Sequence, residues 1–184
     1  MSPRILSILG AIVALTALAA CGSDPQASAE DHSTADVTFA TDMIPHHRQA
    51  VDMAELAATR ASSPEVLQLA EDISGAQEPE IQTMSGWLED WGEPVPAEMS
   101  GMDHGDITGM MSEDQMQGLA GSSGSAFDEM FLQLMIEHHN GAIQMAQTEQ
   151  FKGKYQAAID LAAQIEESQQ AEVVAMQALL GTNE

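Results

Sequence analysis

The sequence predicts an all-α protein, a four-helix bundle made by tandem duplication of a helical hairpin. Shifting the chain by 92 residues aligns 39–88 with 131–180 without a gap, and 15 of the 50 aligned positions are identical. Apolar residues recur at spacings of three and four within each repeat, and no segment alternates as a strand does. Two hairpins with apolar stripes bury them best against each other, which favours a bundle with pseudo-two-fold symmetry.

The N-terminus predicts export. Residues 5–20 form an apolar run of 16 residues after Arg4. This run is shorter than the ~20 residues that span a membrane, so residues 1–20 are interpreted as a signal peptide. Leu18-Ala19-Ala20-Cys21 resembles the lipobox of bacterial lipoproteins, which implies that Cys21 carries the lipid; the alternative is a plain secretory signal with an incidental cysteine. The expected location is the cell envelope, outside the cytoplasm, with 21–36 as a flexible tether.

The bundle domain is expected over 37–184, with repeat 1 at 39–88, a methionine-rich linker at 89–124 and repeat 2 at 131–180. Helix one ends near Arg60. It begins either near Thr41, which makes Pro45 harmless, or near Ser33, which places a kink at Pro45. The second helix starts after Ser62-Ser63 with Pro64 in its first turn.

In the second repeat, Ser125 is the expected cap of a helix that runs to about Gln150. The last helix is expected from about Tyr155 to Leu180, with Gly181 as its stop. Within the linker, Ser112 and Gln115 predict a capping box and a short helix.

Charge and cysteine content limit the partners. The net charge of −24 repels nucleic acid and anionic lipid, so neither is expected as a partner, and membrane contact is expected through the lipid anchor only. Cys21 is the only cysteine, which excludes an intrachain disulfide or a thiolate metal site. Cations remain the natural partners of such a surface.

Methionine and histidine recur together at matched positions of the two repeats. His46 and His47 lie three and four residues after Met43, on one helix face, and the second repeat has the same arrangement. A single methionine on an apolar stripe is usually core filler. An apolar stripe has no need of imidazole, however, and here a His-His pair occurs twice. The predicted metal ligands are Met43, His46, His47, Met53, Met84, Met135, His138, His139, Met145 and Met176.

The ligand types predict the metal. Di-iron and di-manganese bundles use Glu-x-x-His, and here Met43 and Met135 occupy the glutamate position. Thioether with imidazole suits Cu(I) or Ag(I) better than Mn or Fe. Glu80 and Glu172 leave a harder site open, and Gln77 and Gln169 are candidates to orient the imidazoles.

The linker adds a second group of these side chains. It is either an accessory metal-capture segment or a loop with incidental methionines; the residues are Met99, Met102, His104, Met110 and Met111.

The motif Met-Ile-x-His-His-x-x-Ala-(Val/Ile)-x-Met-Ala, at 43–54 and again at 135–146, resembles the bacterial domain of unknown function family 305. The likeness covers about residues 33–181 and includes the Gly-Met-Met-Ser-Glu-Asp-Gln-Met stretch at 109–116. It implies a ferritin-like four-helix bundle, export, and binding of copper or silver by Met and His in some members. By motif position the ligands carry over to Met43, His46, His47 and Met53, and to Met135, His138, His139 and Met145.

Three functions remain open from the sequence. The first is an exported lipoprotein that binds Cu(I) or Ag(I) for buffering, resistance or transfer. The second is a metal-dependent oxidase of ferritin-like type, although the sequence has no catalytic triad, no phosphate-binding loop and no Glu-x-x-His. The third is a metal-free envelope protein that engages a partner through its helices.

Overall fold

The computed structural model describes residues 31–97 and 107–182. These residues form five helices and contain no β-strand, and the loops within each helical hairpin are short. The predicted signal peptide, Cys21 and most of the predicted tether lie outside the described residues. The helices are α1 (Thr34–Arg60), α2 (Pro64–Trp91), α3 (Glu113–Gly121), α4 (Ser125–Lys152) and α5 (Gln156–Thr182).

Helix α1 begins at the earlier of its two predicted starts. Ser33 is the N-cap, and its side chain accepts hydrogen bonds from the amides of Ala35 and Asp36. The Asp36 carboxylate in turn accepts from the Ser33 amide, which completes a capping box. Pro45 therefore lies inside the helix, in its buried part.

Two predicted helix ends are wrong in detail. Gly124, at a φ of 65°, is the N-cap of α4, so Ser125 is the first helical residue and makes no capping hydrogen bond. Glycine adopts this positive φ without steric cost, and this moves the cap one residue upstream. At the other end, α5 continues through Gly181 to Thr182.

The bundle consists of two hairpins, α1 with α2 and α4 with α5, held together mainly by contact between α1 and α4. Related aspartates tie each hairpin to the other. The Asp36 carboxylate accepts from the amides of Lys154 and Tyr155, both at 2.9 Å, in the loop between α4 and α5. Asp128, which is 92 residues further on, accepts from the amides of Ser62 and Ser63 in the loop between α1 and α2, each at 3.0 Å. The predicted all-α bundle with pseudo-two-fold symmetry is confirmed.

Residues 108–111 of the linker pack against two positions that the repeat aligns, Gln49 on α1 and Gly141 on α4. The side-chain amide of Gln49 donates through Nε2 to the Met111 carbonyl at 3.0 Å, and its Oε1 accepts from the Met111 N–H at 2.6 Å. The aligned residue on α4 is Gly141, where a Cβ would stand 2.2 Å from the Thr108 carbonyl oxygen and 2.6 Å from the Gly109 Cα. Only a residue without a side chain permits this approach, so residues 108–111 lie close against both central helices.

The apolar core divides into two clusters related by the pseudo-symmetry. One cluster lies where α4 begins and α1 ends; it contains Phe127, Phe131 and Leu132 and is covered by Leu119 of α3. The other lies where α1 begins and contains Phe39, Ile44 and Leu88. Within residues 31–97 and 107–182, no helix combines the length and the low polarity that crossing a bilayer requires.

Candidate metal centre

Two imidazoles meet at the centre of the bundle, one from each repeat. His46 on α1 and His138 on α4 are both fully buried, and their ring centroids lie 3.6 Å apart with the planes tilted by 34°. The neighbouring His47 and His139 are also fully buried. Both His-His pairs therefore face the interior, as the repeat motif predicts, and they form one layer of four imidazoles.

The ring nitrogens of the central pair contact backbone groups of the described protein but form no hydrogen bond of normal geometry. Neither nitrogen of His46 or His138 has a hydrogen-bond partner at normal geometry. Burial lowers the pKa of His46 well below its usual value, and the nearby His47 and His139 lower it further; the backbone of Thr108 and of His138 opposes this only in part. Burial and the other imidazoles lower the pKa of His138 in the same way. Both rings are therefore neutral at pH 7 and have lone pairs to offer.

The outer histidines are oriented by glutamates. Nε2 of His47 lies 2.7 Å from the Glu80 carboxylate on α2, and Nε2 of His139 lies 2.6 Å from Glu172 on α5. If Nε2–H donates to the carboxylate, Nδ1 is left as an unprotonated acceptor, and Nδ1 of both rings has no partner in the described chain. A carboxylate that fixes the tautomer of a histidine in this way is typical of metal ligands.

This assignment corrects the expected role of the glutamines. Gln77 and Gln169 are buried, but Gln77 forms no side-chain hydrogen bond with a described residue, and Oε1 of Gln169 has none either. The orienting groups are Glu80 and Glu172 instead. Both glutamates are identical between the repeats, and each lies 33 residues after its histidine. This equal spacing is visible in the sequence and could have identified the glutamates as the partners of the histidines.

The candidate methionines divide into two sets, each drawn from both repeats. The first methionine cluster consists of Met43 and Met84 with Met145 packed against them. The second consists of Met53, Met135 and Met176. The pseudo-two-fold exchanges the two clusters, since 43 aligns with 135, 84 with 176 and 53 with 145. Met145 is partly exposed, whereas the other five have no exposed surface.

The linker residues are less uniform than the sequence suggests. Met111 is a core residue, 5% exposed and packed in the cluster that contains Phe127. Met110 is half-buried. Met99, Met102 and His104 lie outside the described residues.

The arrangement is suited to a soft ion. In the described ranges, no three side chains of His, Cys, Asp or Glu come together in a geometry that could hold a metal. Thioether sulfur lies on both sides of the imidazole layer. Thioether and neutral imidazole are ligands that Cu(I) prefers.

Comparisons with known proteins agree with this architecture. The family model described as "Domain of unknown function (DUF305)" matches residues 36–180. A DUF305 protein from Streptomyces coelicolor is 35% identical, with a TM-score of 0.74 over 80% of this chain and 93% of its own. A DUF305 fragment from Deinococcus radiodurans is 32% identical, with a TM-score of 0.73 over 82% of this chain and 97% of its own.

A third similar structure is CopM in its Cu(II)-bound form, 35% identical with a TM-score of 0.71 over 81% of this chain and 97% of its own. CopM is also described in Cu(I)-bound and Ag-bound forms. No protein among the curated sequences matches the chain. On the match of the family model to residues 36–180, the chain belongs to the DUF305 family.

Proposed function

We propose that this protein binds Cu(I) and Ag(I) in the interior of its bundle, through the imidazole layer and the two methionine clusters. Its role is to buffer such ions or to pass them on outside the cytoplasm. The ligands are those predicted from the sequence, with Met43 and Met135 as the thioethers next to the histidine pairs.

The observation that carries the proposal is the set of buried ring nitrogens without partners. Both nitrogens of His46 and of His138 are in this state, and so is Nδ1 of His47 and of His139. A buried polar group left unsatisfied costs about 1–3 kcal/mol. An apolar side chain at the same positions would avoid that cost. The presence of two buried imidazoles in each repeat, four in all, therefore favours a ligand that uses them.

The choice of metal is supported by the neighbouring groups. The carboxylates closest to the layer, Glu80 and Glu172, already contact His47 and His139. The remaining candidate donors are thioethers, which bind Cu(I) and Ag(I) well and Zn(II) or Mn(II) poorly. Relatives with the same fold support the same metals, since CopM is described in Cu(I)-bound and Ag-bound forms.

The duplication suggests the stoichiometry. Each methionine cluster offers three sulfurs and is related to the other by the pseudo-two-fold. We propose one soft ion per cluster, so two per chain, with the imidazole layer between them.

Export and lipid anchoring complete the proposal. Methionine is a suitable soft ligand outside the cytoplasm, because free thiols there would oxidise or form disulfides. The Streptomyces coelicolor relative carries the description of a secreted protein. The lipid would be attached at Cys21, and Cys21→Ala should release the protein from the membrane fraction or block its maturation. Unchanged membrane fractionation and an unchanged mass would contradict the anchor.

The test of metal binding is a competition titration with a Cu(I) chelator under reducing, anaerobic conditions. Met43→Leu combined with Met135→Leu removes one thioether from each cluster at nearly constant volume, which should cost about 1 kcal/mol of stability or less. We expect Cu(I) affinity to fall at least tenfold.

The matched control is Met116→Leu with Met130→Leu, which makes the same chemical change at two half-buried methionines that are not proposed ligands, although they pack against the apolar cluster that contains Met53, Met135 and Met176. The control should bind Cu(I) as the wild type does. Equal affinities for the wild type and the Met43/Met135 variant would show that these methionines are core filler.

A further inference from the structure

A cavity of about 380 Å³ lies between the first half of α1 and the second half of α4. Its outer wall is exposed and includes Thr38, Gln144 and Thr148, while Phe39 and Glu149 at its inner wall are buried. At ~30 Å³ per water molecule the cavity has room for roughly a dozen, so an ion can enter it with its hydration shell. The cavity is therefore open to solvent on one side and bounded by buried residues on the other.

The first methionine cluster reaches this cavity through one residue. Met145 lines the cavity and also packs against the buried cluster that contains Met43 and Met84. Met145 is also the only partly exposed member of the ten predicted ligands, all of which lie in described segments; the other nine have 0% exposure. A soft ion in the cavity would therefore meet the Met145 thioether before any other predicted ligand.

The imidazole layer is close to the same cavity. Thr108 forms part of the cavity wall, and its backbone is close enough to His46 to influence the pKa of that ring. The Thr108 carbonyl is seated against Gly141, next to His138 on α4. Thr108 thus contacts both the cavity and the His46 ring.

The related groove at the other end of the bundle is filled. Under the 92-residue shift, the positions of Thr38, Asp42 and Thr148 correspond to those of Met130, Leu134 and Leu56, in that order. These three larger apolar side chains pack against the cluster that contains Phe127 and that α3 covers. The related methionine, Met53, has no exposed surface there.

We propose that the cavity next to Met145 is the access route by which Cu(I) or Ag(I) reaches the interior ligands, with Met145 as the first thioether to bind the ion. This inference rests on the proposed function. Asp42 contributes a half-buried carboxylate to the wall, and no salt bridge joins it to a residue of the described ranges. The ammonium of Lys152 at the rim is exposed, and the net charge of −24 makes the surroundings attractive to cations.

The test fills the cavity at the end where α1 begins with the side chains found at the end where α4 begins. Thr38→Met, Asp42→Leu and Thr148→Leu together place at the cavity the side chains that occupy the related positions at the other end of the bundle, Met130, Leu134 and Leu56. Met145 is left unchanged because it is a proposed ligand. Loading with Ag(I) is followed after rapid mixing by tryptophan fluorescence, since Trp87 and Trp91 both pack against the cluster that contains Met43 and Met84, and elemental analysis gives the silver bound at equilibrium.

We expect loading to slow at least tenfold, and removal of silver by an added chelator to slow by the same factor. A blocked route hinders passage in both directions, so the amount bound at equilibrium should match the wild type. Thr148→Phe is the second variant, a single change that should slow loading in the same sense if the triple variant fails to fold. The charge control is Asp160→Leu on the exposed face of α5, which should load at the wild-type rate.

Loading of the triple variant and of Thr148→Phe at the wild-type rate would overturn the access route while leaving the proposed function intact. Equal slowing in Asp160→Leu would also overturn it, because the effect would then come from net charge. Failure of the wild type to bind Ag(I) or Cu(I) would overturn the proposed function itself.

Discussion

The two ends of the α1–α4 pair began as copies of one structure and now differ in what surrounds the same framework. At each end an aspartate, Asp36 or Asp128, accepts hydrogen bonds from the backbone of the opposite hairpin's loop. The imidazole layer between the ends is likewise symmetric, with the same His–Glu pair on each side. The contacts that hold the hairpins together and orient the histidines are therefore common to both repeats.

The side chains next to this framework are different. At the closed end, where α4 begins, Phe127 and Met130 fill the groove, and the related residues at the open end are Ala35 and Thr38. Polar and small residues leave a cavity there. The comparison teaches that the divergence of a few flanking positions can leave one of two related methionine clusters next to a cavity that is open to solvent, while the other stays enclosed.

The open end, where α1 begins and the cavity lies, also contains a buried acid. Glu149 is 1% exposed and lies beside Asp36, whereas the related residue at the closed end is Ala57. Gly153 leaves the space this carboxyl occupies, since a Cβ there would stand 2.3 Å from a Glu149 oxygen. The open end therefore keeps two neighbouring carboxyl groups where the closed end has one.

The largest expected effect comes from exchanging the residues that distinguish the ends. Phe127→Ala gives the closed end the side chain of Ala35 and should cost about 3–5 kcal/mol of unfolding free energy, because Phe127 is fully buried. The reciprocal Ala35→Phe places a ring beside the existing cavity and should stay within about 1 kcal/mol of wild type. Urea denaturation measures both. A cost below about 1 kcal/mol for Phe127→Ala would mean that the closed end is not tightly filled.

The sequence predicts the common framework well and the differences poorly. The helices, the capping box at Ser112 and the start of α2 at Pro64 all follow from local patterns, and the structure contains each of them. The buried position of both His-His pairs follows from the repeat. Local sequence also contains the information that resolves Pro45, because Ser33 and Asp36 form the capping box that places the helix start before it.

Contacts between the hairpins could not be derived in the same way. The exchange of Met53 and Met145 between the methionine clusters depends on how α1 crosses α4, which no pattern within one helix specifies. The ties made by Asp36 and Asp128 had a sequence signal, since the two are identical under the 92-residue shift, but they lie three residues before the aligned segment. The cavity arises from divergence between the repeats, whereas the predicted ligands follow from the positions at which the repeats are identical.

A smaller and pH-dependent effect is expected from the acid that only the open end has. Burial, together with the hydrogen bond that the protonated Glu149 carboxyl donates to Asp36 and the charge repulsion between the two groups, raises the pKa of Glu149 to about 8 from the ordinary 4.5. Between these values the folded protein keeps a proton that the unfolded chain has released. Stability should therefore fall as pH rises from about 4.5 to about 8, and then level off.

Glu149→Gln tests this, because glutamine has no such proton to lose and its amide can still donate to Asp36. The variant should match the wild type near pH 5 and become progressively more stable than it up to about pH 8, as measured by urea denaturation across that range. Glu167→Gln on the exposed face of α5 is the control and should stay within about 0.5 kcal/mol of wild type throughout. A difference between wild type and Glu149→Gln that does not change with pH would show that Glu149 ionises normally in the folded state.

The smallest expected effect concerns the two serines that the repeat aligns at the helix starts. Ser33 caps α1 through its side chain, so Ser33→Ala should cost about 1 kcal/mol. Ser125 is the aligned residue, but Gly124 occupies the cap position of α4 and no side chain caps that helix. Ser125→Ala should therefore leave the unfolding free energy unchanged or raise it by a few tenths of a kcal/mol, since alanine has the higher helix propensity. Thermal and urea denaturation of the two single variants make the comparison directly, and equal losses from both would mean that Ser125 caps α4 in solution and that the ends are more alike than the structure indicates.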